Sequence, residues 1–473
     1  MNKINIDFTV AKGKVKQLHC INNAPMLLWD NTPVQPSLGD LGSPYCRFHD
    51  AGGAWGAYHY VDIPNVFPNF DADENDPASY DFAFTDALLK SVVSVGIKPF
   101  YRLGVTIENN WKVKAYNIYP PKDFAKWARI CEHIVRHYNE GWADGFEWDL
   151  DYWEIWNEPE NPPMWQGTRE QYYELYRVAA NHLKKCFPDI KVGGYAGCGF
   201  YAIDDDKLSD FYKSFIPWFE DFLTFISDEK TKAPLDFFSW HIYIDSRGPE
   251  RIATHAKYVR ETLDKAGFTA TESLLDEWND CTYAWGKDRI GFDIMKEMPC
   301  ATTIAAAMAI MQQTSIDKAM YYDAMPSRAY CGLFYFPGSK NHKLTPTFFT
   351  LKAFNELYKL GTAVECSYEG DKIYAIAAKS DSGQGFYIVN RRDEEVTLDL
   401  ITNGADKQFA LYLLDDSHKT LPLVGIWNSG EKLTLPAKSL VLLVTDPTAI
   451  AEVSNTIVMP STPTGIDNTT TDK

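Results

Sequence analysis

The chain contains no Cys-x-x-Cys, no His-Glu-x-x-His and no closely spaced Cys/His motif, so its sequence offers no recognisable metal site. Its nine cysteines stand singly, at positions such as Cys20, Cys131, Cys198 and Cys331. That usage suits reduced, buried thiols rather than a disulfide framework. No phosphate-cradling glycine loop of the dinucleotide or Walker kind is present, nor any internal repeat, and no cofactor is expected. Basic residues are outnumbered, 46 against 64 acidic, which gives a net charge of −18 at pH 7. This balance disfavours nucleic acid and anionic membrane surfaces as partners, argues against an acidic polysaccharide, and leaves neutral ligands as the better expectation. No stretch is long and apolar enough to span a membrane; Ala301 to Met311 comes nearest and reads as a buried helix. Met1 to Val10 alternates polar and apolar residues without the apolar core of a signal peptide, so a cytoplasmic location is expected.

What the chain does have is length and aromatics. Its 473 residues accommodate a barrel of roughly 250 residues or more plus a smaller domain. Aromatic content of 14% fits a site that stacks flat apolar faces such as those of sugar rings, although any single ring is more readily a core residue.

From about residue 44 to 350, short apolar runs alternate with amphipathic segments, the pattern of repeated strand–helix units. The strands expected are Tyr45–His49, Tyr60–Pro64, Ile97–Leu103, Tyr152–Asn157, Ile190–Tyr195, Phe237–Tyr243, Leu274–Trp278 and Ala319–Asp323. Helical spacing occupies Phe82–Val95, Pro121–Asn139, Arg169–Phe187, Ser209–Ser227, Pro249–Ala266 and Thr302–Thr314. After Gly361 the texture turns to short β-type runs punctuated by Gly, Asp and Asn. The reading is an α/β fold, a (β/α)8 barrel over 15–355 with an accessory β-sandwich over 356–447. An amino-terminal strand (1–14) is expected to join the sandwich, and a polar tail over 448–473 to be disordered.

The chemistry concentrates at two strand ends. Trp153-Glu154-Ile155-Trp156-Asn157-Glu158-Pro159 closes an apolar run on a carboxylate that proline pushes out of the ladder. Ser273-Leu274-Leu275-Asp276-Glu277-Trp278-Asn279 repeats the pattern. By strand count Glu158 closes the fourth strand and Glu277 the seventh, which puts both on the carboxyl-terminal face of a barrel, where catalytic groups gather. Two carboxyls about 5 to 5.5 Å apart suit a nucleophile and an acid/base in a retaining glycosidase, whereas about 6.5 Å or more leaves room for an inverting water. Two near carboxylates do not ionise easily together, so one holds a proton as acid while the other attacks. The residues themselves leave open which is which.

Glu154, on the same side of its strand as Glu158, reads as structural, with Arg47 or Arg102 as its cation. Asp276 is expected to face away from Glu277 toward backbone or solvent. His241 and Tyr243 share one face of their strand. Trp111, Trp165, Trp278 and Trp285 are candidates for stacking on sugar, and the loop Glu108 to Tyr119 for a subsite wall.

These segments resemble clan A of the retaining glycoside hydrolases and, more narrowly, glycoside hydrolase family 39. Leu18–Pro25, Arg47-Phe48-His49-Asp50 and Trp240-His241-Ile242-Tyr243 carry the likeness further along the barrel. The resemblance implies that Glu158 is the acid/base and Glu277 the nucleophile. It further implies that Asn157 bonds the sugar 2-hydroxyl, that Tyr243 holds Glu277, and that His241 and His49 line the subsite. The family's β-xylosidases carry a pair of glutamates after the last strand, where Tyr321-Tyr322-Asp323-Ala324-Met325 offers one aspartate; Asp323 stays a candidate for a sugar hydroxyl. The implied activity is a retaining, β-xylosidase-like exo-hydrolase of short neutral oligosaccharides. An arabinosidase, β-galactosidase, β-glucosidase or transglycosylase, or a catalytically silent carbohydrate-binding barrel, are the alternatives, and self-association into a homo-oligomer is left open.

Overall fold

A computed structural model of the chain describes residues 2–24, 36–51, 59–106, 116–284, 290–325, 330, 332–335, 344–446 and 453. Strand β1 (Lys3–Lys14) leads into eight parallel strands that close a barrel: β2 (Gln17–Asn22), β3 (Tyr45–Phe48), β4 (Lys98–Leu103), β5 (Tyr152–Ile155), β6 (Lys191–Gly197), β7 (Phe237–Ile244), β8 (Glu272–Asp280) and β9 (Lys318–Tyr321). β9 pairs back to β2, with Ile21 opposite Tyr321. These strands are buried almost throughout, as parallel strands covered on both faces must be, and so read as near-continuous apolar runs.

The crossover helices carry their own start signals. Asp123 accepts from the Lys126 N–H ahead of the helix Phe124–Asn139. Thr168 and Gln171 form a reciprocal capping box ahead of Arg169–Cys186. Each satisfies backbone donors that the first turn would otherwise leave without partners.

The first crossover departs from expectation. Tyr60–Pro64 is not a strand: Asp62 stands at the N-cap of a short helix, Ile63–Val66, with Pro64 in its first turn, where the missing N–H costs nothing. The first barrel strand is instead Gln17–Asn22. Its polar residues are buried because they are bonded, Asn22 Nδ2 donating to the Asp276 carbonyl at 2.9 Å and to the Met320 carbonyl at 3.1 Å. The two differences cancel in the count, so Glu158 still follows the fourth strand and Glu277 lies on the seventh.

The remaining strands are β10 (Thr362–Glu369), β11 (Ile373–Lys379), β12 (Gln384–Asn390), β13 (Val396–Asn403), β14 (Gln408–Leu414), β15 (Leu423–Asn428), β16 (Leu433–Leu435) and β17 (Ser439–Val444). With β1 they make one sheet in the order β15-β14-β17-β12-β11-β10-β1-β13-β16, in which only the β1–β13 pairing is parallel. Phe8 on β1 and Phe409 on β14 are five strand steps apart in that order, yet their rings stack at 6.3 Å. The sheet therefore folds over onto itself as a sandwich, with Ile6, Ile388, Trp427 and Val441 in the space between its layers.

Its outer face continues the barrel's core. The helix Pro346–Leu360, which the sequence reading passed over, packs with Met298–Gln312 between barrel and sheet, and Tyr387 Oη donates to the Ala305 carbonyl at 2.8 Å. No helix among the described residues is long and apolar enough to cross a membrane. The tail expected over 448–473 lies outside the described residues, Val453 apart.

Candidate active site

The β5 strand stops pairing at Ile155, and three backbone bonds then steer the chain outward. Trp156 N–H donates to the Leu103 carbonyl at 2.7 Å, Glu158 N–H to the Ala196 carbonyl at 3.0 Å, and Asn161 N–H to the Glu158 carbonyl at 2.9 Å. Trp156 (φ 76°) and Glu158 (φ 44°) adopt left-handed backbone at a cost of about 1–3 kcal/mol each. The indole of Trp156 holds that conformation in place, donating to the Met164 carbonyl at 2.9 Å and meeting Trp165 edge-on at 4.9 Å.

A bulge shapes the facing strand. Pairing between β7 and β8 passes from Trp240 opposite Leu275 directly to His241 opposite Glu277, so Asp276 is an extra residue. The alternation expected of an even strand breaks there. Asp276, expected to turn toward backbone or solvent, is instead fully buried beside Glu277.

Arg47, itself fully buried, gathers these groups. Nη1 donates to Glu277 Oε2 at 3.2 Å and to Asn22 Oδ1 at 3.2 Å, Nη2 to Asn157 Oδ1 at 2.6 Å, and Nε to Glu154 Oε2 at 2.8 Å; Nε also lies 3.0 Å from Asp276 Oδ2. Burial works against the guanidinium charge, but Glu154, Asp276 and Glu277 outweigh it. Arg102 pairs with Asp62 at 2.7 Å, which leaves Arg47 as the cation of Glu154.

Tyr243 donates its phenol hydrogen to Glu277 Oε1, and burial followed by the nearby Glu277 pushes that phenol well above its usual range. His241 Nδ1 lies 2.8 Å from Glu158 Oε1, and Asn161 Nδ2 donates to Glu158 Oε2 at 2.8 Å. Burial opposes a charge on Glu158. With the shared proton placed on His241, contacts from His241, Asn161 and the Cys198 thiol outweigh burial and draw the carboxyl below its usual range. Behind it, burial and then the Glu158 charge push Glu160 well up, while Glu160 Oε1 accepts the Cys198 N–H at 2.6 Å.

One carboxylate oxygen each of Glu158 and Glu277 and a ring nitrogen of His241 all lie within 4.8 Å of one another. Both glutamates are 7% exposed, and that exposure opens into a cleft of about 490 Å³. Tyr243, Tyr322 and Tyr330, whose rings meet, line it together with Cys198, Tyr201 and Tyr212 among others. Asn157 is 1% exposed, its Nδ2 has no hydrogen-bond partner among the described residues, and it lies beneath rather than among the residues that line the cleft.

Of the other residues singled out from sequence, His49 sits on the rim of β3 with Nε2 3.2 Å from Asp50 Oδ1, its imidazole pushed well down by burial and then by Arg102 and Arg47. It does not line the described cleft. Asp323 follows β9, buried beside Asn23, and burial pushes its carboxyl well up. Trp278 points away from Glu277 into the core, fully buried and edge-on to Tyr321 at 5.8 Å, and therefore offers no face to a ligand. Trp165 is likewise a core ring against Trp156. Trp111, Trp285 and most of the loop 108–119 lie outside the described residues.

Sequence reasoning missed Asn161, Cys198, Tyr201 and Glu160. The signal available was proximity: Glu160 and Asn161 follow Glu158 within three residues, and Cys198 and Tyr201 follow the end of the neighbouring strand. Among the described residues two clusters have donor atoms spaced for a metal ion, Glu158 with His241 and Glu277, and Glu132 with His182 and Cys186. The second spans two helices and its Glu132 is already engaged by Arg136 at 2.7 Å, whose charge opposes a cation there.

Residues 62–316 match the family model for glycosyl hydrolases family 39. The chain is 32% identical over 256 residues to a β-xylosidase from Caldicellulosiruptor saccharolyticus, and 29% identical over 248 residues to one from Geobacillus stearothermophilus. These matches take in 51% and 50% of this chain but only 46% and 42% of the relatives, so the chain spans under half the length of either. Among solved structures, a glucosidase from Croceicoccus marinus superposes with a TM-score of 0.73 at 24% identity, covering 94% of this chain and 98% of that one. A monomeric β-xylosidase from Caulobacter crescentus gives 0.65 at 17%, covering 94% and 99%. At those identities the likeness is one of fold.

Proposed function

The chain belongs to glycosyl hydrolases family 39, and from that premise we propose that it is a retaining exo-glycosidase acting on short neutral oligosaccharides, with β-xylosides the first substrates to try. The observation that carries this reading is the approach of Glu158 and Glu277 to within 4.8 Å, oxygen to oxygen. That spacing accords with the roughly 5–5.5 Å of retaining enzymes and falls short of the 6.5 Å or more that an inverting water needs.

Glu277 attacks the anomeric carbon while Glu158 protonates the departing oxygen; Glu158 then takes a proton from the water that releases the sugar. Arg47 and Tyr243 keep both oxygens of the nucleophile occupied and fix its aim. Asn157 Nδ2, without a hydrogen-bond partner among the described residues, is read as the donor to the 2-hydroxyl, a contact that tightens as positive charge builds on the ring. Tyr243, Tyr322 and Tyr330 supply aromatic wall against which a sugar packs. Arabinosides, galactosides and glucosides remain alternatives, since at the place where the resemblance expects the paired glutamates of the β-xylosidases the chain has Asp323 alone, which is buried.

The test is release of aryl alcohol from a panel of β-xyloside, α-arabinofuranoside, α-arabinopyranoside, β-galactoside and β-glucoside, with Glu277→Ala beside the native chain. Turnover of one member that disappears in the variant supports the reading. Turnover that persists in the variant removes Glu277 as nucleophile.

A further inference from the structure

Among the described residues, Oε1 of Glu154, both oxygens of Asp276 and Nε2 of His241 are buried polar atoms without a well-formed hydrogen bond, and all three residues are 0% exposed. They are neighbours. Asp276 contacts Glu154 carboxyl to carboxyl, and its Oδ1 lies 3.5 Å from His241 Nε2. Two touching carboxylates in a dry interior do not both ionise, and one proton between them satisfies both.

Arg47 decides where that proton sits. Nε and Nη2 of Arg47 both lie 2.8 Å from Glu154 Oε2, whereas Asp276 has a single contact at 3.0 Å. Glu154 is thus the better neutralised as an anion, and the proton stays on Asp276. The electrostatics agree: burial and then Glu154 push Asp276 well up, while Arg47 draws Glu154 down despite its burial.

With its hydroxyl donated to Glu154, Asp276 turns an acceptor oxygen toward His241. Glu277 Oε2, at 3.6 Å, is the other carboxyl oxygen beside Nε2. Facing acceptors, Nε2 keeps its hydrogen, and Nδ1 presents a lone pair to Glu158 Oε1. A contact of 2.8 Å between them is then held by a hydrogen on Glu158; the lowering of Glu158 belongs to the opposite placement, with that hydrogen on Nδ1, and the two differ only in where this one hydrogen sits.

We infer that Asp276 is a positioning residue for the acid/base step: by holding a proton shared with Glu154 it keeps the hydrogen of His241 on Nε2 and so keeps Glu158 protonated, ready to serve a leaving oxygen. The chain runs from Glu158 O–H to Nδ1, from Nε2–H to Asp276, from Asp276 O–H to Glu154, and ends on Arg47. Other groups face it: Glu160 and Cys198 beside Glu158, both pushed toward their neutral forms, His49 near His241, and Glu277 beside Asp276. The inference rests on the reading of Glu158 as acid/base.

Two variants separate it from a structural role. In Asp276→Asn the amide donates to Glu154 and its oxygen accepts from Nε2, as a protonated aspartic acid does; Asp276→Leu keeps the branched shape, with bulkier methyl groups, and removes both bonds. Nitrogen-15 spectra of the full histidine-labelled chain, with His241→Asn assigning the signal, are expected to show a hydrogen on Nε2 and none on Nδ1, in the native protein and in the Asn variant. The alkaline limb of kcat/KM on an aryl glycoside is expected to stay in place in Asp276→Asn and to move down by about one pH unit or more, tenfold in acid strength, in Asp276→Leu. A hydrogen on Nδ1 in the native spectrum overturns the inference, as does an Asn variant as impaired as the Leu variant or unable to fold. If no glycoside is turned over, the glycosidase reading fails while the spectrum still decides the hydrogen's place.

Discussion

Tyr243 and Glu277 share a hydrogen bond across adjacent strands β7 and β8, phenol to Oε1, on the oxygen that Arg47 does not hold. Because burial and the carboxylate keep the phenol far above its usual range, it donates at every pH at which a glycosidase works. A hydrogen bond to a charged group is worth about 1.5–3 kcal/mol, so Tyr243→Phe is expected to lower kcat roughly 10- to 150-fold with KM little changed. Steady-state kinetics on the best aryl glycoside check this. A variant with unaltered kcat would mean that the phenol does not steer the nucleophile.

Glu158 and Glu277 are expected to fail differently. Removing a general acid costs about 10²–10⁴ where the leaving group needs a proton and far less where it does not. Glu158→Ala should therefore spare dinitrophenyl glycosides relative to alkyl ones, and added azide should give a glycosyl azide of retained configuration. Equal losses on good and poor leaving groups would remove Glu158 from the acid role.

The sequence showed where the two glutamates stand because proline and the strand count place them, and that count tolerates one strand gained and one lost. Gln17–Asn22 went unread as a strand because Gln17, His19 and Asn22 break its apolar pattern. They are buried through partners far along the chain, His19 with Asn355 and Asn22 with Asp276 and Met320. The bulge at Asp276 left no trace either, since it consists in pairing with β7 rather than in composition. Arg47 was legible as a cation for Glu154, but its reach to Asn157 and Glu277 depends on strands that only barrel closure brings together.

Breaking the ion pair under the site should show in stability. Glu154 and Arg47 are both 0% exposed, and removing one partner leaves a buried charge with less to balance it. Losses of about 3–5 kcal/mol accompany such changes. Glu154→Ala is expected to lower the urea midpoint of unfolding accordingly. A midpoint within error of native would show that Asp276 takes over the pairing unaided.

His19 ties stability to pH with a definite sign. Its Nε2 lies 3.2 Å from both the Gly42 carbonyl and Asn355 Oδ1, and burial drives the ring down to about 4. The unfolded chain binds this proton near pH 6.5 and the folded one only near 4, so between those values the unfolded state carries more protons and stability falls as pH falls. Above about 6.5 the residue contributes nothing to the pH dependence, and below about 4 its penalty is constant. His19→Gln keeps a donor toward Gly42 and Asn355 and removes the titration. Between pH 7 and pH 4.5 the native chain should lose about 2 kcal/mol more than the variant by urea unfolding. His255, also driven down to about 4 by burial, acts with the same sign in both proteins and cancels from the comparison. Identical losses in the two chains would mean that the His19 pocket opens to water before the global transition.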